Sequence, residues 1–211
     1  MTRKSLIILP LSILIFFMPF SAIGGVVDNP NYFTLKGGIY SPQSNDLEEF
    51  DTGFNGELSF GYYFHRNFAL EIGVGYFQTQ ASFIGFDPIL GVWSEEDKIT
   101  TVPLTLTAKG VYPTQYVDVF GGAGIGLYFV SGESDLLIGA FPFSFDDSDT
   151  VFGFHLGLGA NFSITENVFF GIEGKYLWAG AKFEEDILGI PVDLDADLDG
   201  YTVTANIGFR F

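Results

Sequence analysis

Two histidines, no cysteine and a large excess of carboxylates bound the chemistry open to this 211-residue chain. A covalent enzyme needs a nucleophile beside a base, with the base held by a third group. His65 lies in the short connection His65-Arg66-Asn67, and His155 lies between Gly153 and Gly157. Neither has a serine two residues on. His155 is therefore expected to be satisfied by a carboxylate, and no enzymatic activity or cofactor is expected. The one run that suggests a metal is Asp193-Leu194-Asp195-Ala196-Asp197-Leu198-Asp199-Gly200. Asp195, Asp197, Asp199 and Gly200 match the first half of an EF-hand loop, but the twelfth position falls on Asn206 rather than Glu. Hard oxygen ligands suit Ca²⁺ or Mg²⁺ at a surface, and the bland alternative is a solvated extension. Nucleic acid is excluded as a partner, because 9 Lys plus Arg face 26 Asp plus Glu.

The elements that position these groups come from the rest of the chain. Residues 1–24 read as a secretory leader. Arg3 and Lys4 precede an apolar stretch from Leu6 to Phe20, and Ala22-Ile23-Gly24 offers small residues at a cleavage site. The mature domain is then 25–211, one domain by size. Mean hydropathy is +0.31, yet the leader is short of the roughly 20 apolar residues that a spanning helix needs.

Beyond the leader the chain alternates with period 2 in eight segments: 32–40, 54–64, 68–78, 100–109, 117–129, 152–162, 168–178 and 201–211. In the third, Phe68, Leu70, Ile72, Val74 and Tyr76 oppose Glu71, Gly73 and Gly75. About ten residues suffice for a tilted strand to cross a bilayer. A soluble sandwich shows the same alternation, but three features favour a membrane. The polar faces are rich in glycine, aromatics gather near segment ends, and the connections alternate between short and long. The short ones are 65–67, 112–116 and 163–167; the long ones are 41–53, 79–99, 130–151 and 179–200. The long ones hold twenty acidic residues and only two lysines, Lys98 and Lys182. The expectation is an all-β fold: an eight-stranded antiparallel, up-and-down transmembrane β-barrel with short periplasmic turns and long extracellular loops.

Several stretches add a family likeness. Val102-Pro103-Leu104-Thr105-Leu106, the run Val119-Phe120-Gly121-Gly122-Ala123-Gly124-Ile125-Gly126 and Gly171-Ile172-Glu173-Gly174-Lys175-Tyr176 are of this kind. The final strand ends on Ile207, Phe209 and Phe211 of one face. Together they resemble the small bacterial outer-membrane β-barrels represented by the OmpA transmembrane domain and OmpX, with the OmpW family as second choice. The resemblance implies insertion in the outer membrane of a Gram-negative bacterium, among its lipid and lipopolysaccharide. It also implies recognition by the barrel-assembly machinery through Phe211, and a monomer is expected; with no cell-wall-binding domain expected after the barrel, an OmpA-like anchor to the cell wall is not implied. The pattern of the lipid A deacylases is missing around both histidines.

In an eight-stranded barrel the interior is only wide enough for side chains to fill it. The inward faces carry Lys36, Lys109, Lys175 and Arg210 against Glu57, Glu71, Asp118 and Glu173. Such charges are stable only in pairs, so a charge network filling the lumen is expected. Leu194, Ala196 and Leu198 share parity with inward Thr202, which suggests a bulge or bend near Gly200. The leading function is a structural or surface-interaction role through the acidic loops. The alternative is an OmpW-like channel for small or hydrophobic solutes, with Ile84–Trp93 and Leu136–Phe145 capping an apolar pocket at the mouth.

Overall fold

In a computed structural model, residues 30–87, 91–139, 141–187 and 190–211 are described, with backbone only at 46, 87, 181–187 and 190–196. The expected leader, 1–24, lies outside the described residues. Nine strands run in chain order: β1 (Asn31–Pro42), β2 (Gly53–His65), β3 (Phe68–Asp87), β4 (Gly91–Pro113), β5 (Val117–Ile138), β6 (Phe141–Ser163), β7 (Val168–Ile187), β8 (Ile190–Asp197) and β9 (Gly200–Arg210). Each of β1 to β6 pairs antiparallel with its successor, β7 pairs with β9, and β9 pairs with β1. Eight strands thus close a ring, which leaves no unpaired edge to face hydrocarbon. Their aromatic and β-branched residues at alternate positions suit a pleated, half-buried surface.

Sequence parity assigns the faces correctly throughout. Leu35, Ile72, Leu106, Phe154 and Ile207 are exposed on the outside, and Lys36, Glu71, Thr107, His155 and Asn206 are buried inside. The inward glycines leave room for rings. A Cβ at Gly61 would sit 2.0 Å from the Tyr32 ring, and one at Gly208 would sit 2.1 Å from the Phe169 ring.

Three of the four long connections differ from the expected loops. β4 and β6 each run for 23 residues, roughly twice what a tilted crossing requires. The ladder continues from Gln80↔Lys98 to Asp87↔Gly91, from Trp93↔Ile138 to Lys98↔Glu133, and from Ile138↔Phe141 to Val130↔Asp149. The tips of β3 to β6 therefore form a four-stranded sheet standing above the barrel. Acidic residues in these segments hide an alternation that never stops. The described residues of Ile84–Trp93 and Leu136–Phe145 belong to this sheet rather than folding over the mouth. Only 41–53 remains a loop, with a single 3₁₀ turn at Asn45–Leu47.

β7 and β8 make a separate hairpin. The expected bulge near Gly200 is not found: Gly180↔Asp197 and Leu177↔Gly200 belong to one unbroken register. Leu198 keeps its inward parity and is fully buried. The apolar residue on the lumen side marks a change in what fills the lumen at that height. A register shift does occur elsewhere, between Tyr63 and His65.

The two faces of a strand predict opposite responses to charge. Ile72→Arg, on the lipid side, should cost on the order of 2–4 kcal/mol of folding free energy. Urea titrations of tryptophan fluorescence in lipid vesicles measure this. An exposed control above the membrane, Gln80→Arg, should cost about 0–1 kcal/mol.

Candidate functional site

The lumen is filled at three levels. In the middle, three lysines and three glutamates from five strands alternate. Lys36 Nζ lies 2.7 Å from Glu57 Oε1, 2.9 Å from Glu71 Oε1 and 3.0 Å from Glu173 Oε2. Lys109 Nζ reaches Glu71 Oε2 at 2.7 Å and Glu173 Oε2 at 3.4 Å. Lys175 Nζ reaches Glu57 Oε2 at 2.7 Å and Glu173 Oε1 at 3.7 Å. Lys36 is the hub, its three protons facing three carboxylates, and its side chain is 2% exposed. The six formal charges cancel. Hydroxyls complete the layer: Tyr32 donates to Glu71 Oε2 at 2.9 Å, and Thr34 and Ser59 share a hydrogen bond. Lys109 also lies 4.6 Å from the centre of the Phe120 ring, a favourable cation–π position.

The other two residues of the expected network stand apart. Asp118 and Arg210 form their own pair, Nη2 to Oδ2 at 2.7 Å, at the periplasmic end. There the Arg210 guanidinium lies 4.7 Å from the Phe169 ring centre, and Tyr32, Ala69 and Phe169 pack with Tyr63. The separation follows from height. Asp118 and Arg210 sit near the short turns, one strand end away from the lysine–glutamate layer.

The third level was not foreseen. At the extracellular end, Tyr40, Phe77, Ile99, Tyr128, Val130, Val151, Leu177, Ala179 and Leu198 bury one another, with Leu47 inserted from the loop 41–53. The Tyr40 and Phe77 rings lie 4.4 Å apart, and the Tyr40 hydroxyl donates to the Leu198 carbonyl at 2.7 Å. The loop is tied down by Gln43 N–H to Asp199 O at 2.7 Å and Asp51 N–H to Gln80 O at 2.9 Å. The Thr79 hydroxyl also bonds Asp51 O. The available signal is the apolar residues on inward parity near the strand tops: Tyr40, Phe77, Tyr128 and Leu177 within the expected strands, and Ile99, Val130, Val151, Ala179 and Leu198 in the expected loops.

His155 is buried, but its partner is the Thr107 hydroxyl, 2.8 Å from Nε2, not the expected carboxylate. Gly124 leaves the space its ring occupies. His65 is exposed in its turn, where Nδ1 accepts the Asn67 N–H at 3.1 Å. The Thr107–His155 pair is enclosed in the lumen, and His65 braces its own turn.

Of the expected metal ligands, Asp195 pairs with Lys182 along the backbone ladder, and its side chain lies outside the described residues. Asp197 is exposed. Asp199 Oδ1 accepts the Ala179 N–H at 3.1 Å, and burial pushes its carboxyl above the usual range. A strand sets alternate residues about 6–7 Å apart, so the ladder by itself does not gather three carboxylates around one ion. Among the described residues, no group of three His, Asp or Glu converges as a metal site.

Residues 11–211 match the family model described as "Outer membrane protein beta-barrel domain". No curated protein sequence matches the chain. Among solved structures, it is similar to the outer membrane protein OprG of Pseudomonas aeruginosa, with 16% identity, 87% of this chain and 97% of that one covered, and a TM-score of 0.62. Neisserial surface protein A gives 17%, 86%, 97% and 0.55. The outer membrane protease OmpT of Escherichia coli gives 9%, 87%, 94% and 0.51. At these identities the likeness is one of fold, and the protease activity in OmpT's name does not transfer.

Removing the hub should expose its worth. Lys36→Met leaves three carboxylates with two lysines and should cost about 3–5 kcal/mol, as for other broken buried pairs. Adding Glu71→Gln restores the charge balance and should recover part of that loss. Both are read as shifts of the urea midpoint for the barrel in vesicles.

Proposed function

The chain belongs to the outer membrane protein β-barrel domain family, and from that premise we propose that it is a non-conducting barrel acting through the acidic structures it raises outside the membrane. Its location is the bacterial outer membrane. The observation that carries the reading is the filled lumen: a neutral ion network between an aromatic floor and an apolar cap. A water-filled path would have to open all three levels. Opening the middle alone separates buried opposite charges, which is strongly unfavourable.

The remaining chemistry lies outside. The twenty acidic residues of the long connections form a surface suited to interaction. The barrel is proposed to work as a monomer among outer-membrane lipid and lipopolysaccharide. Phe211 supports recognition by the barrel-assembly machinery. It is exposed beside Phe209, with ring centres 6.3 Å apart, and its backbone exchanges two hydrogen bonds with Asn31.

The alternative, a channel for small or hydrophobic solutes, is decided by conductance. Refolded protein, its folding verified by a heat-dependent gel shift, is expected to give no discrete steps in a planar bilayer. Reproducible steps from such a sample would overturn the closed barrel and favour the channel.

A further inference from the structure

Among the described residues, no layer packs on the outward face of the sheet formed by the tips of β3 to β6. A sheet normally buries at least one face, yet Ile84 is 81% and Phe86 73% exposed, and Val92 and Leu137 are exposed beside them. On the outward parity these residues are cut off from the lipid-facing band by a polar belt of Gln78, Gln80, Lys98, Thr100, Ser131 and Thr150. They form a second apolar patch, separate from the lipid-facing band. A hollow of about 610 Å³ borders the sheet, lined by Ile84, Glu96, Asp135 and Leu137 of the outward parity together with Phe83 and Phe143 of the other. That volume is within the range of ligand sites, roughly 300–1,000 Å³.

The charge around the hollow is of one sign. The segments 79–99 and 130–151 carry nine acidic residues and one lysine, Lys98, and Lys98 is held by Glu133 at 3.0 Å. Among the described residues, no Lys or Arg lines the hollow. Glu95, in the same lining, has its carboxyl raised by burial first and then by Asp97. The free edge of β6 above the barrel is guarded. Pro142 has no N–H to offer, Asp147 Oδ1 takes the Ser148 N–H at 2.7 Å, and Asp149 Oδ1 takes the Thr150 N–H at 2.6 Å. Pro142 and the two occupied donors disfavour a strand added along that stretch of the β6 edge.

We propose that this outward face docks a cationic, amphipathic polypeptide segment, its apolar side chains seated over Ile84 and Leu137 and its basic side chains against Glu96 and Asp135. The proposal deepens the surface-interaction reading above and rests on it. A second copy of the chain brings the same nine acids and is repelled. Lipid phosphates are anionic and are repelled likewise. An apolar patch ringed by an excess of negative charge is complementary to a segment that carries both Lys or Arg and aliphatic side chains.

The test uses the refolded protein in zwitterionic nanodiscs and a fluorescent short peptide of alternating Lys and Leu, with empty nanodiscs subtracted. Two control peptides replace Lys by Glu or Leu by Ser. Fluorescence anisotropy is expected to give saturable binding of the Lys–Leu peptide only. The pair Ile84→Ser with Leu137→Ser should weaken it about tenfold or more, and so, independently, should Glu96→Gln with Asp135→Asn. The pair Glu48→Gln with Glu49→Gln, in the loop 41–53, should leave it unchanged. The gel shift verifies folding of every variant. Equal binding of the Lys–Ser peptide, or equal loss in the loop variant, would mean diffuse charge attraction and overturn the proposal. Absence of binding would overturn it too, as would dimers in sedimentation that Leu137→Ser disperses. Failure of the premise is separately visible, as conductance steps; a silent barrel that binds no peptide sinks this inference alone.

Discussion

Hydrocarbon offers no hydrogen bonds and little tolerance for charge, so a strand that crosses it must send every ion inward. In a ring of eight strands, inward means into a space no wider than a few side chains. Three lysines and three glutamates placed there have nowhere to find solvent and meet one another. Lys36 occupies the one position from which an ammonium reaches Glu57, Glu71 and Glu173 together. The inward glycines, the aromatic floor and the hydroxyls around the carboxylates follow from the same confinement. Whatever does not carry charge must either make room or accept a hydrogen bond.

The network does not close the barrel alone. A neutral ion cluster open to water on one side would be solvated from that side, and its internal pairs would weaken as the dielectric rose. The apolar cap prevents this. Leu47, brought in by the loop 41–53, completes a lid of Tyr40, Phe77, Tyr128 and Leu198, and backbone hydrogen bonds to Asp199 and Gln80 hold the loop in place. The cap covers the ion layer on the extracellular side, and the ion layer ties together the strands beneath the cap. The two levels therefore stabilise each other, and the one irregular loop of the extracellular side is structural.

Much of this was legible in the chain itself. Period-2 alternation assigned the lipid and lumen faces residue by residue, because a one-residue slip would have sent Lys36 or Glu71 into lipid. It also singled out the six residues of the ion layer. Two things were not legible for a common reason: composition was taken for conformation. The acidic residues of 79–99 and 130–151 read as loops, yet backbone pairing is indifferent to charge, and Phe83, Trp93, Leu136 and Phe143 kept the alternation going. Likewise Tyr40, Phe77 and Leu198 lie on the polar parity, and the parity of Leu198 suggests a bulge in the sequence. They were the signal of a third layer. The distances that detach Asp118–Arg210 from the other six depend on strand tilt and on height within the barrel, which no one-dimensional pattern contains. His155 and Thr107 met through the same geometry.

The distribution of charge then separates two tasks. Inside the barrel, each cation is matched and the sum is zero, as stability demands. Outside, nine acids in the tips of β3 to β6 stand with a single lysine, an arrangement that stability alone does not ask for, since like charges on neighbouring strands repel. Glu96 faces Asp135 across one ladder, and Glu133 faces Asp146 across the next. Loops of half the length would have joined the same strands. A chain that continues four strands beyond the membrane, leaves Ile84 and Phe86 bare at the top and guards the β6 edge with aspartates has placed its unbalanced charge and its uncovered apolar surface together. Inside the barrel the ion layer is balanced; the unbalanced charge and the uncovered apolar surface face outward.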